Sequence, residues 1–339
     1  MTAPLRTALI GFGMMGAGFA EDPVMARHFP YASHAQVLRD HPLFSWEAVV
    51  DPSEKALENA GRRWNVPLLC RSVEELAGRC RPEVAVIAIP PRERMEILEG
   101  LSDVRAVFVE KPLGETLDDA THFVRYCMKR GILLQVNFWR RGDELFRELA
   151  AGGLGEKIGQ TRSCFGLYGN GLRNNGSHLI DFARMLLGEC ADAQVLSPQS
   201  AFSEGPIAGD RNVPFLLLFG NGQNAVFQPL PFARYREVGL DLWGEKGRLS
   251  ILQEGLGVFL YPRKENRALT GEWEIASDCP EVIAATCGTA LYRMYDNLSE
   301  ALFHGAALWS PGESALENER IVQNLMDQIG VLPAEGERR

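Results

Sequence analysis

The sequence has no hydrophobic run that could cross a bilayer, since no segment approaches the roughly 20 apolar residues that a membrane-spanning helix needs. It also lacks a secretory signal ahead of its first glycine cluster, and we therefore expect a cytoplasmic protein. No basic cluster offsets the net charge of −9. This charge argues against nucleic acid and against anionic membranes as partners.

Cysteine occurs without the pattern of a metal site or a disulfide framework. The seven cysteines are odd in number and include no Cys-x-x-Cys pair, so we expect buried thiols and no metal centre. Repeats and low-complexity segments are absent, and only residues 335–339 have the composition of a disordered tail. The remaining composition, 46% hydrophobic and 23% charged, is that of a globular protein, and 339 residues suggest two domains.

The N-terminal segment combines an apolar strand with a glycine-rich turn. Residues 7–10 predict a short buried strand, and three glycines with the spacing Gly-x-Gly-x-x-Gly follow it directly. In dinucleotide-binding proteins these glycines permit a tight turn, a close approach of the pyrophosphate and close packing of the next helix. The spacing alone is weak evidence, but its position after a strand predicts a phosphate-binding loop. The loop consists of Gly11, Phe12, Gly13, Met14, Met15 and Gly16.

A carboxylate, Asp51, follows the second predicted strand, where the fingerprint places the residue that binds the adenosine ribose. A helix cap is the alternative, since a helical pattern begins at residue 53, and the two roles are compatible. Asp51 lies 35 residues after Gly16, whereas the fingerprint expects about 20. We interpret residues 17–32, which contain two prolines, as an insertion without one continuous helix. It should form a lid or wall beside the phosphate loop.

Strand and helix patterns alternate along residues 1–137 and predict a Rossmann doubly wound parallel sheet of six strands. Ligands of such sheets bind at the carboxyl ends of the strands. The glycine loop and Asp51 fall at these ends. We therefore assign residues 1–137 to a dinucleotide-binding domain. Four further residues at strand ends complete the predicted cofactor-binding set: Ile89, Pro90, Glu110 and Lys111.

The pattern changes in residues 138–339, which we assign to a second, α+β domain. A helical pattern covers residues 174–187. Later apolar runs lack intervening helices and are separated by glycine-containing turns, which predicts a large, mostly antiparallel sheet. Two helices, near residues 290–304 and 314–329, complete the pattern.

Three motifs together resemble those of one family. They are Gly-Phe-Gly-Met-Met-Gly at 11–16, Glu-Lys-Pro at 110–112 and Gly176-x-His178-x-x-Asp181 at a helix start. The chain resembles the Gfo/Idh/MocA oxidoreductases (glucose-fructose oxidoreductase, inositol dehydrogenase and relatives) over nearly its whole length. The resemblance implies an open sheet for substrate binding and oligomerisation in the second domain, a cis peptide before Pro112, and Lys111 and His178 as the catalytic pair.

The chemistry of alcohol oxidation suits these two residues. A histidine titrates near neutrality and can take the hydroxyl proton, while a lysine beside the same oxygen stabilises its negative charge. The alternatives are a backbone-bonded histidine at a helix start and a lysine at a solvated strand end.

Two positions depart from the family pattern: Asn174 stands where many members have aspartate, and Arg94 where histidine is frequent. Asparagine orients a hydroxyl without accepting its proton, and Arg94 faces either an anionic substrate or a surface carboxylate. We predict Lys111, His178 and Asn174 as catalytic residues. The predicted substrate-binding set is Arg94, Arg141, Tyr168, Arg173, Asn174 and His178.

The sequence therefore favours an NAD(P)-dependent oxidoreductase that acts on the hydroxyl or keto carbon of a sugar, cyclitol or nucleotide-linked sugar. The alternatives are a reductase of imines or other unsaturated acceptors and a non-catalytic NAD(P)-binding sensor. Asp51 favours NAD, while Ser53, Lys55 and Arg62 leave NADP open. The expected partners are a small sugar-type substrate and further copies of the chain, as a homodimer or homotetramer.

Overall fold

The computed structural model describes residues 3–330, and the predicted disordered tail lies outside them. The described chain divides into two units, one of residues 3–143 with Gly288–Glu317 and one of Glu144–Cys287 with the residues from 318 onward. This division differs from the predicted boundary at residues 137 and 138, because the segment 288–317 returns to the first unit. In residues 3–330 no helix is both long enough and apolar enough to cross a membrane.

Residues 3–330 contain eleven α-helices and fifteen β-strands, joined by turns that include short 3-10 and π segments. The helices are α1 Met25–His28, α2 His34–Asp40, α3 Glu54–Trp64, α4 Val73–Ala77, α5 Arg94–Glu99, α6 Leu117–Arg130, α7 Glu144–Glu148, α8 Leu154–Ile158, α9 Ser177–Leu187, α10 Ala290–His304 and α11 Gly312–Gly330. The strands are β1 Leu5–Ile10, β2 Phe44–Val50, β3 Leu68–Cys70, β4 Val84–Ile87, β5 Ala106–Val109, β6 Leu133–Val136, β7 Thr161–Tyr168, β8 Cys190–Val195, β9 Phe215–Phe219, β10 Asn224–Pro229, β11 Gly239–Gly244, β12 Gly247–Leu252, β13 Gly257–Glu265, β14 Trp273–Ile275 and β15 Glu281–Ile283.

The first unit is built on a six-stranded sheet with the order β3-β2-β1-β4-β5-β6, in which every neighbouring pair is parallel. Apolar side chains fill both faces. Ala85 and Ile87 of β4 belong to one hydrophobic cluster, whereas Val84 and Val86 belong to the other. Because successive strand residues point to opposite faces, a continuous apolar run is what a strand covered on both sides requires. The predicted doubly wound parallel sheet is confirmed.

Helix α10 explains why the segment 288–317 belongs to this unit. One of its faces carries large apolar side chains that are buried in the same cluster as Phe108 of strand β5. This face consists of Leu291, Met294, Tyr295 and Leu298. The helix limits were predicted from the sequence, but its place in the first unit was not.

The second unit contains a nine-stranded sheet, with the order β14-β13-β12-β11-β7-β10-β9-β8 and β15 paired with β13. Its neighbouring pairs are antiparallel except for β7 and β10, which run parallel. Alternate residues of β9 and β10 are buried in a core with α9 and α11, and the intervening Leu216, Leu218 and Val226 remain partly exposed. The predicted large, mostly antiparallel sheet is confirmed.

Candidate functional site

The glycine-rich turn follows β1 directly and depends on its glycines. Gly11 has φ +91°, and a Cβ atom there would lie 2.5 Å from Ile89 Cγ2 and 2.6 Å from the Ala88 carbonyl oxygen. A Cβ on Gly16 would lie 2.4 Å from the Gly11 carbonyl oxygen. At Gly13, in contrast, a Cβ would meet nothing within 4 Å. The turn is therefore packed tightly at its ends and open at its middle glycine, where a phosphate would need to approach the backbone.

Asp51 ties the end of β2 to this turn. Its Oδ2 accepts a hydrogen bond of 2.7 Å from the Phe12 backbone N–H, and its Oδ1 accepts one of 2.9 Å from the Ser53 N–H. Helix α3 is capped by Ser53, whose hydroxyl accepts from the Ala56 N–H at 3.4 Å. The carboxylate thus supports the helix start through Ser53, and its other oxygen faces the glycine turn.

A cavity of about 970 Å³ opens beside the turn within the first unit. Gly13, Met14 and Asp51 line it, and α3 contributes much of the opposite wall. This wall carries positive charge from Lys55, Arg62 and Arg63 next to the carboxylate of Glu58. The cavity therefore combines an open glycine backbone with charged groups of both signs.

The insertion after Gly16 consists of a 3-10 turn, Gly18–Glu21, and the short helix α1, as the predicted break in the helix requires. Ala17, Gly18 and Glu21 line the cavity. Glu21 Oε1 accepts hydrogen bonds from Arg63 Nη1 at 2.7 Å and from Asn59 Nδ2 at 3.2 Å. The first part of the insertion therefore forms a wall of the cavity, and the expected lid or wall of residues 17–32 is confirmed for this part alone, since none of residues 22–32 lines the cavity.

The Glu-Lys-Pro motif forms the turn after β5, and its Lys111–Pro112 peptide is cis, as the family resemblance implied. Glu110 is buried, and its Oε1 accepts from Asn137 Nδ2 at 2.6 Å and lies 3.0 Å from His34 Nε2. His34 Nδ1 is 2.7 Å from the hydroxyl of Tyr295. Burial opposes the Glu110 charge, but the hydrogen bonds from His34 and Asn137 and the charge of Lys111 outweigh it, so the pKa of Glu110 lies below its usual value.

This buried polar network was not predicted from the sequence. Its four members lie on different elements, and no local spacing links a histidine at the start of α2 with a tyrosine on α10. Burial, and secondarily the charge of Glu110, raises the pKa of Tyr295 well above its usual value, so its hydroxyl stays protonated. Because a carboxylate can only accept, His34 Nε2 carries the proton that is shared with Glu110.

The Tyr295→Phe substitution is expected to lower the free energy of unfolding by about 1–3 kcal/mol, because the buried His34 Nδ1 loses its partner. Urea unfolding of both proteins measures the difference. Tyr126→Phe is the matched control, since that hydroxyl bonds an exposed arginine at the surface. Equal stability of the Tyr295 and Tyr126 variants would show that the hydrogen bond between Tyr295 and His34 contributes nothing.

Arg94 has a role other than the one expected of it. Its side chain is buried, and its Nε and Nη2 donate to the Ile89 carbonyl at 3.0 and 2.7 Å, while Nη1 donates to the Pro112 carbonyl. These bonds join the end of β4 to the Glu-Lys-Pro turn. The expectation that Arg94 faces an anionic substrate or a surface carboxylate is corrected, because the guanidinium points at backbone carbonyls.

In the second unit, the segment before α9 holds the remaining predicted residues. Residues 172–176 form a π turn, and α9 begins at Ser177, one residue before the partly buried His178. Asn174 therefore precedes the α-helix, which begins at Ser177 and not at residue 174, where the predicted helical pattern starts. Asn174 Nδ2 donates to the Asn170 carbonyl at 3.2 Å. An aspartate could not make this bond, which gives a physical reason for asparagine at this position.

Tyr168, Arg173 and Arg141 are bonded within their own units. Tyr168 is fully buried, and its hydroxyl donates to the Val213 carbonyl at 2.7 Å and accepts from the Val213 N–H at 2.9 Å. The prediction that Tyr168 binds substrate is therefore corrected, since it belongs to the core. Arg173 Nη2 donates to Gln323 Oε1 at 2.8 Å, and Arg141 Nη1 donates to the Trp309 carbonyl at 3.2 Å.

Comparison with known proteins agrees with the geometry of the first unit. Residues 5–138 match the family model GFO_IDH_MocA, described as an oxidoreductase family with an NAD-binding Rossmann fold. This part of the chain belongs to that family, and the resemblance is confirmed for the two motifs that it contains, the glycine-rich turn and Glu-Lys-Pro, whereas the motif with His178 lies outside the matched residues.

Individual relatives are distant. Trans-1,2-dihydrobenzene-1,2-diol dehydrogenase of Mus musculus is 28% identical over 148 residues, which are 39% of this chain and 44% of that protein. The match therefore spans less than half of this relative's length. An oxidoreductase from Agrobacterium radiobacter, in complex with NAD+, L-tartaric acid and magnesium, has a similar fold (TM-score 0.71, 16% identity, 97% of both chains). Levoglucosan dehydrogenase, in complex with NADH and levoglucosan, has TM-score 0.72 at 16% identity, over 96% of this chain and 97% of that one.

Proposed function

We propose that the protein is an NAD-dependent oxidoreductase that transfers hydride between the nicotinamide and a hydroxyl or keto carbon of a sugar, cyclitol or nucleotide-linked sugar. The observation that carries this proposal is the cavity in which the open backbone at Gly13 and the carboxylate of Asp51 lie together. Both features fit a dinucleotide, because the glycine admits a phosphate and the carboxylate can accept from ribose hydroxyls.

The residues proposed to hold the cofactor are those at the carboxyl edge of the first sheet: the loop 11–16, Asp51, Ile89, Pro90, Glu110 and Lys111. NAD, when bound, supplies the acceptor or donor of the hydride. In this proposal His178 takes the proton from the substrate hydroxyl and returns it in the reverse direction. Lys111 stabilises the negative charge that develops on the same oxygen, and Asn174 orients the hydroxyl.

Relatives support an alcohol-type substrate. The mouse relative is named for a diol, and one protein of similar fold is a levoglucosan dehydrogenase in complex with NADH and levoglucosan. A panel of sugars, cyclitols and nucleotide sugars, assayed with NAD(H) at the nicotinamide absorbance band, tests the proposal. Turnover of imines or other unsaturated acceptors alone would favour the reductase alternative. Cofactor binding without turnover of any class would favour the sensor alternative.

The protein is expected to bind NAD(H) more tightly than NADP(H), because the Asp51 carboxylate repels a 2′-phosphate. Asp51→Asn should reduce the ratio of the two dissociation constants by about 10-fold, since it removes the charge and keeps one acceptor oxygen. Calorimetric titration with both cofactors measures this. Glu58→Gln, which removes a charge from the same cavity, is the control, and tighter binding of NADP(H) by the unmodified protein would contradict the prediction.

We further propose that the protein is a homodimer or homotetramer joined through the sheet of the second unit. Leu216, Leu218 and Val226 are only partly covered, and packing one sheet face on another would bury them. Light scattering at micromolar concentration should give a multiple of 37.6 kDa. Val226→Glu should shift the mass toward one chain, whereas Val24→Glu, at an exposed site of the first unit, should not. A monomeric unmodified protein would exclude this assembly.

A further inference from the structure

The start of the helical segment that carries His178 is capped from a distant part of the second unit. The first N–H groups of a helix have no partner within the helix and need one from elsewhere. Here the four consecutive N–H groups of residues 171–174 are all bonded to residues 210–212. Asn212 Oδ1 accepts from the Gly171 N–H at 2.9 Å, and the Arg211 carbonyl accepts from the Leu172 N–H at 2.9 Å. The two oxygens of Asp210 take the next two groups, since Oδ1 accepts from the Arg173 N–H at 2.9 Å and Oδ2 accepts from the Asn174 N–H at 3.0 Å.

Asp210 is the charged member of this cap and is buried, with 2% of its surface exposed. Both of its oxygens are used on the turn, and Oδ1 also accepts from the N–H of Arg211 at 2.9 Å. The approach is so close that a Cβ on Gly171 would lie 2.0 Å from Asp210 Oδ2. Gly171 also has φ +97°, a conformation that favours glycine. The turn is therefore shaped to receive this carboxylate.

A buried carboxylate with backbone N–H partners is a strong and directional restraint. Charge-assisted hydrogen bonds are shorter and stronger than neutral ones, and a negative charge at a helix start is favoured by the helix dipole. Asp210 holds the backbone of Arg173 and Asn174, and His178 follows one turn later on the same helical segment. A shift of the turn would therefore move both proposed substrate-contacting side chains together.

We propose that Asp210 is a positioning residue for the reaction, which sets the backbone from which Asn174 and His178 project. This inference rests on the proposed function, because it assumes that His178 handles the substrate proton. It assigns no contact between Asp210 and the substrate. The sequence offered no signal for it, since Asp210 lies in an irregular segment between β8 and β9.

The test is Asp210→Asn, which preserves the shape but removes the charge and one of the two acceptor oxygens. We expect kcat to fall about 10- to 100-fold, while the dissociation constant for NADH stays within about twofold because the proposed cofactor residues belong to the first unit. Hydrogen exchange should accelerate at the amides of Arg173 and Asn174 and stay unchanged in the later turns of α9. If this variant does not fold, Asp210→Ser, which retains one acceptor oxygen, is measured with the same expectation.

Glu204→Gln is the matched control. Glu204 lies in the same irregular segment, and its carboxylate also accepts from two backbone N–H groups, but these belong to Phe232 and Ala233 at 2.8 Å. Its kcat should stay within about twofold of the unmodified protein. An equal loss of kcat in the Asp210 and Glu204 variants would mean that loosening this segment at any point is sufficient to slow the reaction, and would overturn the inference.

His178→Ala separates this inference from the proposed function. If the His178→Ala protein is inactive while the Asp210→Asn protein is fully active, the positioning role of Asp210 is overturned and the proposed function stands. Full activity of His178→Ala would overturn the proposed role of His178, and the positioning role with it. Loss of activity in both, with normal cofactor binding, is the expected result.

Discussion

His178→Ala is expected to slow turnover by about 100-fold or more, because a positioned acid or base contributes roughly that factor. The substituted protein should bind NADH normally, since His178 belongs to the second unit while the glycine turn and Asp51 belong to the first. The structure also predicts that the fold survives, because His178 lies at the partly exposed start of α9 rather than in its core. Steady-state kinetics with calorimetric titration of NADH measures both effects.

His304→Ala is the matched control for this change. His304 lies in the last turn of α10 and has no proposed part in the reaction. The control should keep its kcat and its affinity for NADH within about twofold. Near-normal kcat in His178→Ala, combined with loss of kcat on substitution of Lys111, would show that the proton passes through the lysine alone. The role proposed for His178 would then be wrong, although hydride transfer would stand.

Lys111→Met is expected to reduce kcat by about 100-fold or more, because it removes the cation proposed to stabilise the developing alkoxide. Unlike the change at His178, it should also weaken binding of the cofactor, since Lys111 lies in the turn that follows β5 of the sheet proposed to bind it. Methionine keeps the length of the apolar stem, so loss of packing does not account for the effect. Kinetics and NADH titration at constant ionic strength measure both consequences.

Two further variants serve as comparisons for Lys111→Met. Lys129→Met removes an exposed lysine near the end of α6 and should leave both quantities unchanged. Arg94→Met removes the bonds that join the Pro112 and Ile89 carbonyls, and should lower kcat by a smaller factor because the cation of Lys111 remains. A Lys111→Met protein with normal kcat would leave the family-derived role of this lysine without support.

Several features of the fold followed from short stretches of sequence. The apolar run at 84–89 predicted a strand covered on both faces, and β4 is buried throughout. The helix predicted near residues 290–304 agrees with the limits of α10. These successes share a cause, because side-chain periodicity and the steric freedom of glycine act over a few residues and are visible in the chain itself.

The assignments that changed concern side chains whose partners are remote in sequence. Arg94 and Tyr168 were both predicted to bind substrate. In the structure Arg94 donates to the Pro112 and Ile89 carbonyls, and the hydroxyl of Tyr168 bonds the backbone of Val213. A buried polar group must find a partner wherever packing places one. Residue type alone therefore suggested a ligand contact where the folded chain supplies an internal one.

By itself, the sequence determined the six-stranded parallel sheet, the glycine-rich turn after its first strand and the oxidoreductase family of the first unit. Each of these depends on residues that are close in sequence or on motifs with fixed spacing. Only the tertiary structure decided that α10 returns to the first sheet, that His34 bonds a tyrosine 261 positions away and that Asp210 caps the turn before His178. The reason is physical, since such contacts form only when hydrophobic burial brings distant elements together, and no local pattern in the chain records which polar groups will then meet.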